Sequence, residues 1–395
     1  MKYSGRAACS LGVVLGLALA LRAPAGAACG WSLFPTANPY PSGNQLTGVT
    51  GTASNDVWEV GGSFHSKRSL GYALHWDGSA WTSYKESNPS THGGQFSGVA
   101  ELAPNDIWTV GVQYLAAGYG QPQSIIEHWN GSGFAVVPAP QPQQFTVLYG
   151  VTAFGSSDVW AVGGSQSASS LEQSYLVRWG GSGWTQVPSP NVAGMSTNLD
   201  AVAGSSANDV WSVGDYYGNP SSNYGTLAEH WDGASWSIVP TPNVTGHSGR
   251  LNSVVALSAT DAWAVGEYVN GTKLAPLTEH WDGSAWSIVP SPDPAGGSVF
   301  LLGTTALSAH DVWAVGEISR GPKIVATYTM RWNGTSWKIV KSPNVHGRPV
   351  TLLNAVATIP RAGIWAVGGD ASLKAVFDTV TERYACSKET LEVRR

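Results

Sequence analysis

A short phrase that ends in Trp-x-Val-Gly recurs along this chain at a nearly constant interval. The phrase is DVWEVG around Trp58 and GIWAVG around Trp365, and seven copies place their tryptophans 50 to 52 residues apart. Two further aromatic series keep the same register: a His-Trp or Arg-Trp pair and, five residues after it, another Trp or Phe. A repeat of this length predicts a solenoid, a linear array or a propeller.

Each repeat reads as four short β-strands. In the fifth repeat these are LNSVVAL (251–257), DAWAVG (261–266), PLTEHW (276–281) and AWSIVP (285–290). An Asp-Gly pair separates the last two, which is typical of a hairpin turn. Helical periodicity is absent from these segments, and this excludes an α-solenoid. Bulky residues on both strand faces indicate sheets packed between neighbouring sheets, as in propeller blades.

We therefore predict an all-β fold, a seven-bladed β-propeller of four-stranded antiparallel blades. The third aromatic series has six members after residue 50, so the seventh blade lacks its outer strand. Residues 31–39 match the outer strands in type and order, and we expect this N-terminal strand to complete the last blade and remove an open edge. The propeller domain then covers 29–386, with blades starting near residues 46, 96, 148, 199, 251, 301 and 353.

The repeats resemble those of kelch-type propellers. In that family an inner strand leads to a second strand ending in Gly-Gly, followed by an aromatic residue, a short turn and a Trp. Gly61-Gly62, Gly163-Gly164 and Gly368-Gly369 keep the glycine pair, and the other four repeats keep its first glycine. The resemblance covers about 31–386 and implies the architecture. Because kelch propellers include enzymes and binding modules, it implies no single function.

The first 28 residues are typical of a secretory signal peptide. Basic MKYSGR precedes the apolar run SLGVVLGLALAL at 10–21, and small residues follow. The run is shorter than the roughly 20 residues that span a bilayer. We expect a secreted or extracytoplasmic monomer with no transmembrane segment and a charged tail at 387–395.

Two cysteines remain after the signal peptide, Cys29 and Cys386, at the two ends of the repeat region. In a closed ring they would lie on adjacent strands of the last blade, and a disulfide fits an exported protein. We therefore predict a Cys29–Cys386 disulfide. The alternative is a lipid anchor on Cys29.

The composition and motifs indicate no catalytic, metal or cofactor site. The formal charge of −5 includes no basic stripe, which argues against nucleic acid as a partner. No GxSxG, HExxH or glycine-rich phosphate loop occurs in a matching context. One Asp precedes the repeated Trp in six repeats, and we interpret this series as turn residues that bond nearby amides.

The variable connections carry the ligand-binding prediction. Turns between first and second strands are nearly identical in every repeat, whereas the loops after the second strand and between blades differ. In the kelch pattern these loops share one face, and variable loops on a rigid scaffold carry recognition. The predicted ligand-binding residues are Phe64, His65, Tyr114, Asp215, Tyr216, Tyr217, Glu267, Tyr268, Glu317 and Asp370. We expect the five from Asp215 to Tyr268 to stand side by side at the channel mouth.

Aromatic rings beside short polar groups suit a sugar or a peptide. The preferred hypothesis is an exported non-catalytic recognition module that binds an extracellular glycan or protein. The alternative is an exported carbohydrate-active enzyme, a glycosidase or lyase with acids at the channel mouth. Two carboxylates within about 10 Å across a pocket would favour the enzyme. A structural role in an envelope or matrix is the third possibility.

Overall fold

The structure is a computed structural model. It describes residues 29–386 apart from 42, 66–67, 88–89, 91, 119, 169, 219–223, 322–324 and 373–376. The predicted signal peptide at 1–28 and the charged tail at 387–395 lie outside the described residues. Within the described part, no helix has the length and apolar character needed to cross a membrane.

The described residues form 28 β-strands. The first strands of the repeats are β2 (Asn44–Ala53), β6 (Gly94–Ala103), β10 (Phe145–Gly155), β14 (Ser196–Ser206), β18 (Gly249–Ser258), β22 (Ser298–Ser308) and β26 (Val350–Ile359). The second strands are β3 (Asp56–His65), β7 (Asp106–Ala116), β11 (Asp158–Gln166), β15 (Asp209–Tyr217), β19 (Asp261–Asn270), β23 (Asp311–Ser319) and β27 (Gly363–Ala371). The third strands are β4 (Arg68–Trp76), β8 (Gly120–Trp129), β12 (Gln173–Trp179), β16 (Tyr224–Trp231), β20 (Lys273–Trp281), β24 (Val325–Trp332) and β28 (Phe377–Cys386). The outer strands are β1 (Cys29–Phe34), β5 (Trp81–Lys85), β9 (Phe134–Val136), β13 (Trp184–Gln186), β17 (Trp236–Ile238), β21 (Trp286–Ile288) and β25 (Trp337–Ile339).

Strands β2 to β21 form five four-stranded antiparallel sheets, one for each of the first five repeats. The remaining strands form one mixed sheet in the order β1-β28-β27-β26-β24-β23-β22, with β25 paired to β24. The parallel pair of Val325 with Val350 joins the two halves of this sheet. The all-β prediction is confirmed, and no sheet among the described strands closes on itself.

The Asp-Gly phrase forms the tight turn between third and outer strands. In the fifth repeat Asp282 Oδ1 accepts hydrogen bonds from the backbone N–H groups of Ser284 and Ala285, at 2.8 and 3.0 Å. A hydrogen bond from the Ser284 hydroxyl, together with these two backbone bonds, lowers the pKa of Asp282 to about 2. Gly283 has a φ of +92°, in the left-handed region that glycine adopts without strain. The carboxylate of Asp282 and the positive φ of Gly283 therefore both stabilise this turn.

The core lies in layers between consecutive repeats. The second-strand Trp of one repeat packs against a third-strand aromatic ring of the next, as Trp263 does against Trp332, with ring centroids 4.9 Å apart. Trp365 of the last repeat contacts Trp81 of the first at 6.3 Å. These contacts run from each repeat to the next and from the seventh to the first. The buried second-strand tryptophans are Trp58, Trp108, Trp160, Trp211, Trp263, Trp313 and Trp365.

The repeated Asp residues bind side chains of the third strand, which differs from the expected bonding to turn amides. Asp261 Oδ1 is 2.9 Å from His280 Nε2, and the His280 ring packs on Trp263 at 4.5 Å. In the sixth repeat Arg331 takes the place of the histidine and donates to Asp311 at 2.7 Å. The equivalent pairs are Asp56–His75, Asp106–His128, Asp158–Arg178 and Asp209–His230. This series fastens the second strand to the third.

Several glutamates are buried between the sheets. Glu279 on β20 is 0% exposed, and neither of its carboxylate oxygens has a hydrogen-bond partner among the described residues. Burial raises the pKa of Glu279 to about 8. Burial also raises the pKa of Glu59 and of Glu382 to about 8. These carboxyls are therefore mostly protonated at neutral pH.

Cys29 and Cys386 form a disulfide, as predicted. They lie at the ends of β1 and β28, which are paired in the mixed sheet. A sulfur atom in a disulfide cannot also carry the thioether of a lipid anchor. The structure therefore argues against the lipid-anchor alternative.

Removing this disulfide is expected to lower the melting temperature. Cys29 and Cys386 are 357 residues apart in sequence, so the bond restricts a long loop in the unfolded chain. Losses of native disulfides typically cost about 2–4 kcal/mol. The measurement compares melting of the wild-type protein and of the double variant C29S/C386S, with and without reductant. We expect the reductant to affect only the wild type. A wild-type melting temperature that ignores the reductant would contradict this prediction.

Candidate functional site

Three of the predicted ligand residues line one concave site, which we call the inner pocket. It has a volume of about 340 Å³. β15 contributes Asp215 and Tyr217, and β19 contributes Glu267. The complete lining is Asp215, Tyr217, Tyr224, Arg250, Glu267, Leu274 and Phe300. The pocket thus draws on the fourth, fifth and sixth repeats.

The end of β15 presents side chains to two different cavities. Successive residues of a strand point to opposite faces, so Asp215 and Tyr217 share one face and Tyr216 lies on the other. Asp215 and Tyr217 line the inner pocket, whereas Tyr216 lines a second cavity. Tyr216 and Tyr217 therefore do not stand side by side, in contrast to the expectation from their adjacency in sequence.

Arg250 is the centre of the polar network beneath the inner pocket. Its Nη2 donates to Asp200 Oδ2 at 3.3 Å, and its Nε lies 3.7 Å from Glu267 Oε1. The side-chain amide of Asn252 donates to Glu267 Oε2 at 2.6 Å, and that of Asn198 donates to Asp200 at 2.8 Å. Both carboxylates are thus held in place by a cation and an amide.

The acids of this network have raised pKa values. Burial raises the pKa of Glu267 to about 7, although Arg250 and the Asn252 amide lower it. Burial raises the pKa of Asp200 to about 6, with Arg250 again acting in the opposite direction. The pKa of Asp215 is raised by the same cause. Near neutral pH Glu267 can therefore donate or accept a hydrogen bond through its carboxyl group.

A residue of the third repeat, Glu172, holds Tyr217 in position. The Tyr217 hydroxyl donates to Glu172 Oε2 at 2.6 Å. Burial, followed by the bond to Glu172, raises the pKa of Tyr217 to about 12, so the phenol stays neutral. The hydrogen bond fixes the ring at the pocket wall. Such fixing lowers the entropy cost of using the ring to bind a ligand.

A central cavity of about 220 Å³ is lined by the first strands of all seven repeats. Each first strand has a β-bulge directly after its buried Leu or Phe, and the bulged residue lines the cavity. Bulges re-aim side chains in this way. The bulged residues are Thr47, Ser97, Tyr149, Asp200, Asn252, Leu302 and Asn354. Because Asp200 and Asn252 also bond to Arg250 and Glu267, the inner pocket adjoins this cavity.

The second cavity, the outer pocket, has a volume of about 450 Å³. Its lining includes Tyr216 and His247, and Tyr224 lines both pockets. The predicted residue Tyr268 packs edge-on against His247, with ring centroids 5.9 Å apart. The complete lining is Met195, Tyr216, Tyr224, Gly225, Asn243, Val244, Thr245, Gly246, His247 and Ser248.

The other predicted residues line neither pocket. Phe64 is 39% exposed near the end of β3, and His65 is the last residue of that strand. The Tyr114 backbone N–H donates to Gly93 O at 2.9 Å, and Glu317 on β23 is partly buried. Asp370 is buried, with its Oδ1 3.1 Å from Arg348 Nε, and this ion pair gives it a structural role. The structure thus brings together only part of the predicted set.

Arg250 and Phe300 were missed because they lie inside regular strands and not in the variable loops. Each directly precedes the buried leucine of its first strand. The sequence does carry a signal, since this position varies while the apolar residue that follows it is Leu in six repeats and Phe in one. The equivalent residues are Gln45, Gln95, Val147, Asn198 and Leu352. Among the described residues, no group of three or more His, Cys, Asp or Glu side chains is arranged to hold a metal ion.

No protein-family model matches the chain, and no curated protein matches it in sequence. Solved structures do resemble it. A structure of YCF48 bound to a D1 peptide aligns with a TM-score of 0.55 at 15% identity, covering 90% of this chain and 97% of that one. The GH74 xyloglucanase of Xanthomonas campestris aligns with a TM-score of 0.54 at 14% identity, covering 89% of this chain and 55% of that one. A PL25 ulvan lyase bound to a GlcA-Rha3S unit aligns with a TM-score of 0.55 at 8% identity, covering 83% and 90%.

These proteins are β-propellers. The chain has a propeller-like fold. Its repeated four-stranded sheets are the blades, and at such low identity the likeness shows the fold alone. The kelch resemblance stays a prediction.

Proposed function

We propose that this protein is an exported recognition module that binds a glycan in the inner pocket without altering it. The observation that carries the proposal is the convergence of Tyr217 and Tyr224 with Asp215, Arg250 and Glu267 around one concave site. Tyrosine rings offer flat faces to the C–H groups of a sugar. Carboxylates accept hydrogen bonds from sugar hydroxyls, and a guanidinium donates them. Pockets that combine apolar walls with a few such polar groups are typical of ligand sites.

The proposal includes a closed seven-bladed propeller at 29–386, released by removal of the signal peptide at 1–28. Contacts between the last and first repeats support closure. The side-chain amide of Asn354 donates to Leu46 O at 2.7 Å, and β1 pairs with β28. The disulfide supports export, since disulfides persist in oxidising compartments.

A glycan array probed with the mature protein tests the proposal. We expect at least one glycan to bind, and we expect Tyr217→Ala to weaken that binding more than tenfold by calorimetry, or about 1.4 kcal/mol. The variant loses a ring face held rigidly by Glu172. Phe64→Ala is the matched control, because Phe64 is an exposed aromatic residue outside both pockets. Binding to proteins alone, or an undiminished affinity of Tyr217→Ala, would reject the proposal.

A carbohydrate-active enzyme is the second candidate. The observation that favours it is the presence of two acids, Asp215 and Glu267, in one pocket, with the pKa of Glu267 near 7. General acids work best with a pKa close to the operating pH. Incubation of the bound glycan with the protein separates the candidates. New glycan chain ends that form with the wild type but not with Glu267→Gln would establish an enzyme. A glycan that stays intact would support the recognition module.

A further inference from the structure

We infer that the ligand is a chain of at least two sugar units and that Tyr224 separates an inner from an outer subsite. The inference rests on the proposed glycan binding and adds the outer pocket to the site. Its basis is the position of Tyr224, which lines both cavities. Their volumes, about 340 and 450 Å³, both fall in the range of roughly 300–1,000 Å³ of small-molecule sites. Each pocket therefore has room for a sugar unit of its own.

Tyr224 is held firmly between the two pockets. It is the first residue of β16 and lies directly opposite Tyr217 of β15 in the register. Residues opposite each other in an antiparallel pair share a face, so the two rings belong to one side of the sheet. The Tyr224 backbone N–H donates to Ser248 Oγ at 3.3 Å, and Ser248 lines the outer pocket. Tyr224 is thus tied to both walls.

The outer pocket has a different chemistry from the inner one. Asp215, Glu267 and Arg250 line the inner pocket, whereas the outer lining contains no Asp, Glu, Lys or Arg among the described residues. The outer pocket offers the rings of Tyr216 and His247 instead. Stacking on such faces suits an uncharged sugar unit. The charged side chains of the inner pocket suit the sugar unit that makes more hydrogen bonds through its hydroxyl groups.

The wall of the outer pocket is formed in advance. The Tyr216 ring lies over Gly225, where an added Cβ would come within 2.5 Å of the ring. Only glycine leaves room for this arrangement. Tyr268 packs edge-on against His247 and limits the motion of that ring. Preformed walls reduce the ordering cost of binding, so a second sugar unit gains affinity.

The test is a length series. The probe is the glycan with the strongest array signal, cut into fragments of one to four units and titrated by calorimetry. We expect the affinity to rise at least tenfold between one unit and three. His247→Ala is expected to remove most of this gain and to leave the affinity for one unit unchanged. Tyr217→Ala is expected to weaken binding at every length.

His346→Ala is the matched control, since His346 lies exposed in the corresponding loop of the sixth repeat and lines neither pocket. Met195→Ala, a second change in the outer lining, repeats the test with a residue that does not stack. An affinity that is independent of length would overturn the inference while leaving glycan binding intact. A gain with length that survives both outer-pocket variants would also overturn it. If no glycan binds the wild type, the proposed function fails first and the inference falls with it.

Discussion

Replacing Glu279 by Gln is expected to flatten the fall in stability of this protein between pH 5 and pH 9. Glu279 is fully buried without a hydrogen-bond partner among the described residues, and burial raises its pKa from 4.5 to about 8. Between about pH 4.5 and pH 8 the folded protein therefore keeps a proton on Glu279 that the unfolded chain has lost. The contribution of Glu279 to the free energy of unfolding is fully present below about pH 4.5. It is lost as the pH rises to about 8.

The expected size is large. The difference between a pKa of about 8 and one of 4.5, at about 1.36 kcal/mol for each pKa unit, amounts to about 5 kcal/mol. Glutamine has nearly the same size and does not titrate, so the variant escapes this loss. A weaker slope remains in the variant, because burial also raises the pKa of Glu59 and of Glu382 to about 8.

Denaturant unfolding at pH 5, 7 and 9 measures this effect. Asp282→Asn is the matched control in the same repeat. Asp282 is exposed and its pKa is lowered to about 2, so its titration lies outside the window. We expect the control to follow the wild type. Parallel pH profiles for wild type and Glu279→Gln would show that the carboxyl is ionised in the folded state, contrary to this account.

Trp263→Ala is expected to lower the free energy of unfolding by about 3–5 kcal/mol. Trp263 is 2% exposed and packs against Trp332 and, edge-on, against Trp337 at 5.4 Å. The substitution leaves a cavity between the fifth and sixth repeats. No hydrogen bond is lost with it, since Trp263 Nε1 has no partner among the described residues. The loss is therefore one of packing.

Chemical denaturation of the variant at constant pH gives the cost directly. Ile288→Ala in the same repeat is the control, because Ile288 is apolar but exposed on β21. Exposed substitutions of this kind usually change stability by less than about 0.5 kcal/mol. Equal costs for the two variants would remove the basis for assigning the tryptophan series to the core.

The sequence predicted the strand architecture well because the repeat is reinforced by several kinds of residue at once. The Trp263 position indicates burial, and Asp282-Gly283 indicates the turn. Each of these follows from local chemistry that hardly depends on distant parts of the chain. The disulfide was also predictable, since Cys29 and Cys386 are the two cysteines outside the predicted signal peptide.

The candidate site was predicted only in part. Asp215, Tyr217 and Glu267 were recognised because they follow the repeated phrase directly. Arg250 and Phe300 occupy regular strands, and their convergence depends on how three repeats are rotated about a common centre. Sequence alone does not supply that rotation. Strand alternation alone separates Tyr216 from Tyr217, since neighbouring residues of a strand point to opposite faces.

The seven bulges allow different residue types to be compared at one structural position within a single chain. One structural position, at the wall of the central cavity, is filled in the same chain by residues as different as Ser97, Tyr149, Asp200 and Leu302. Strand pairing continues on both sides of each bulge, with the register shifted by the one extra residue. The scaffold therefore tolerates small, aromatic, charged and aliphatic side chains at this point. The side chains that line the central cavity could therefore be substituted at these seven positions, one repeat at a time, without redesigning the strands that carry them.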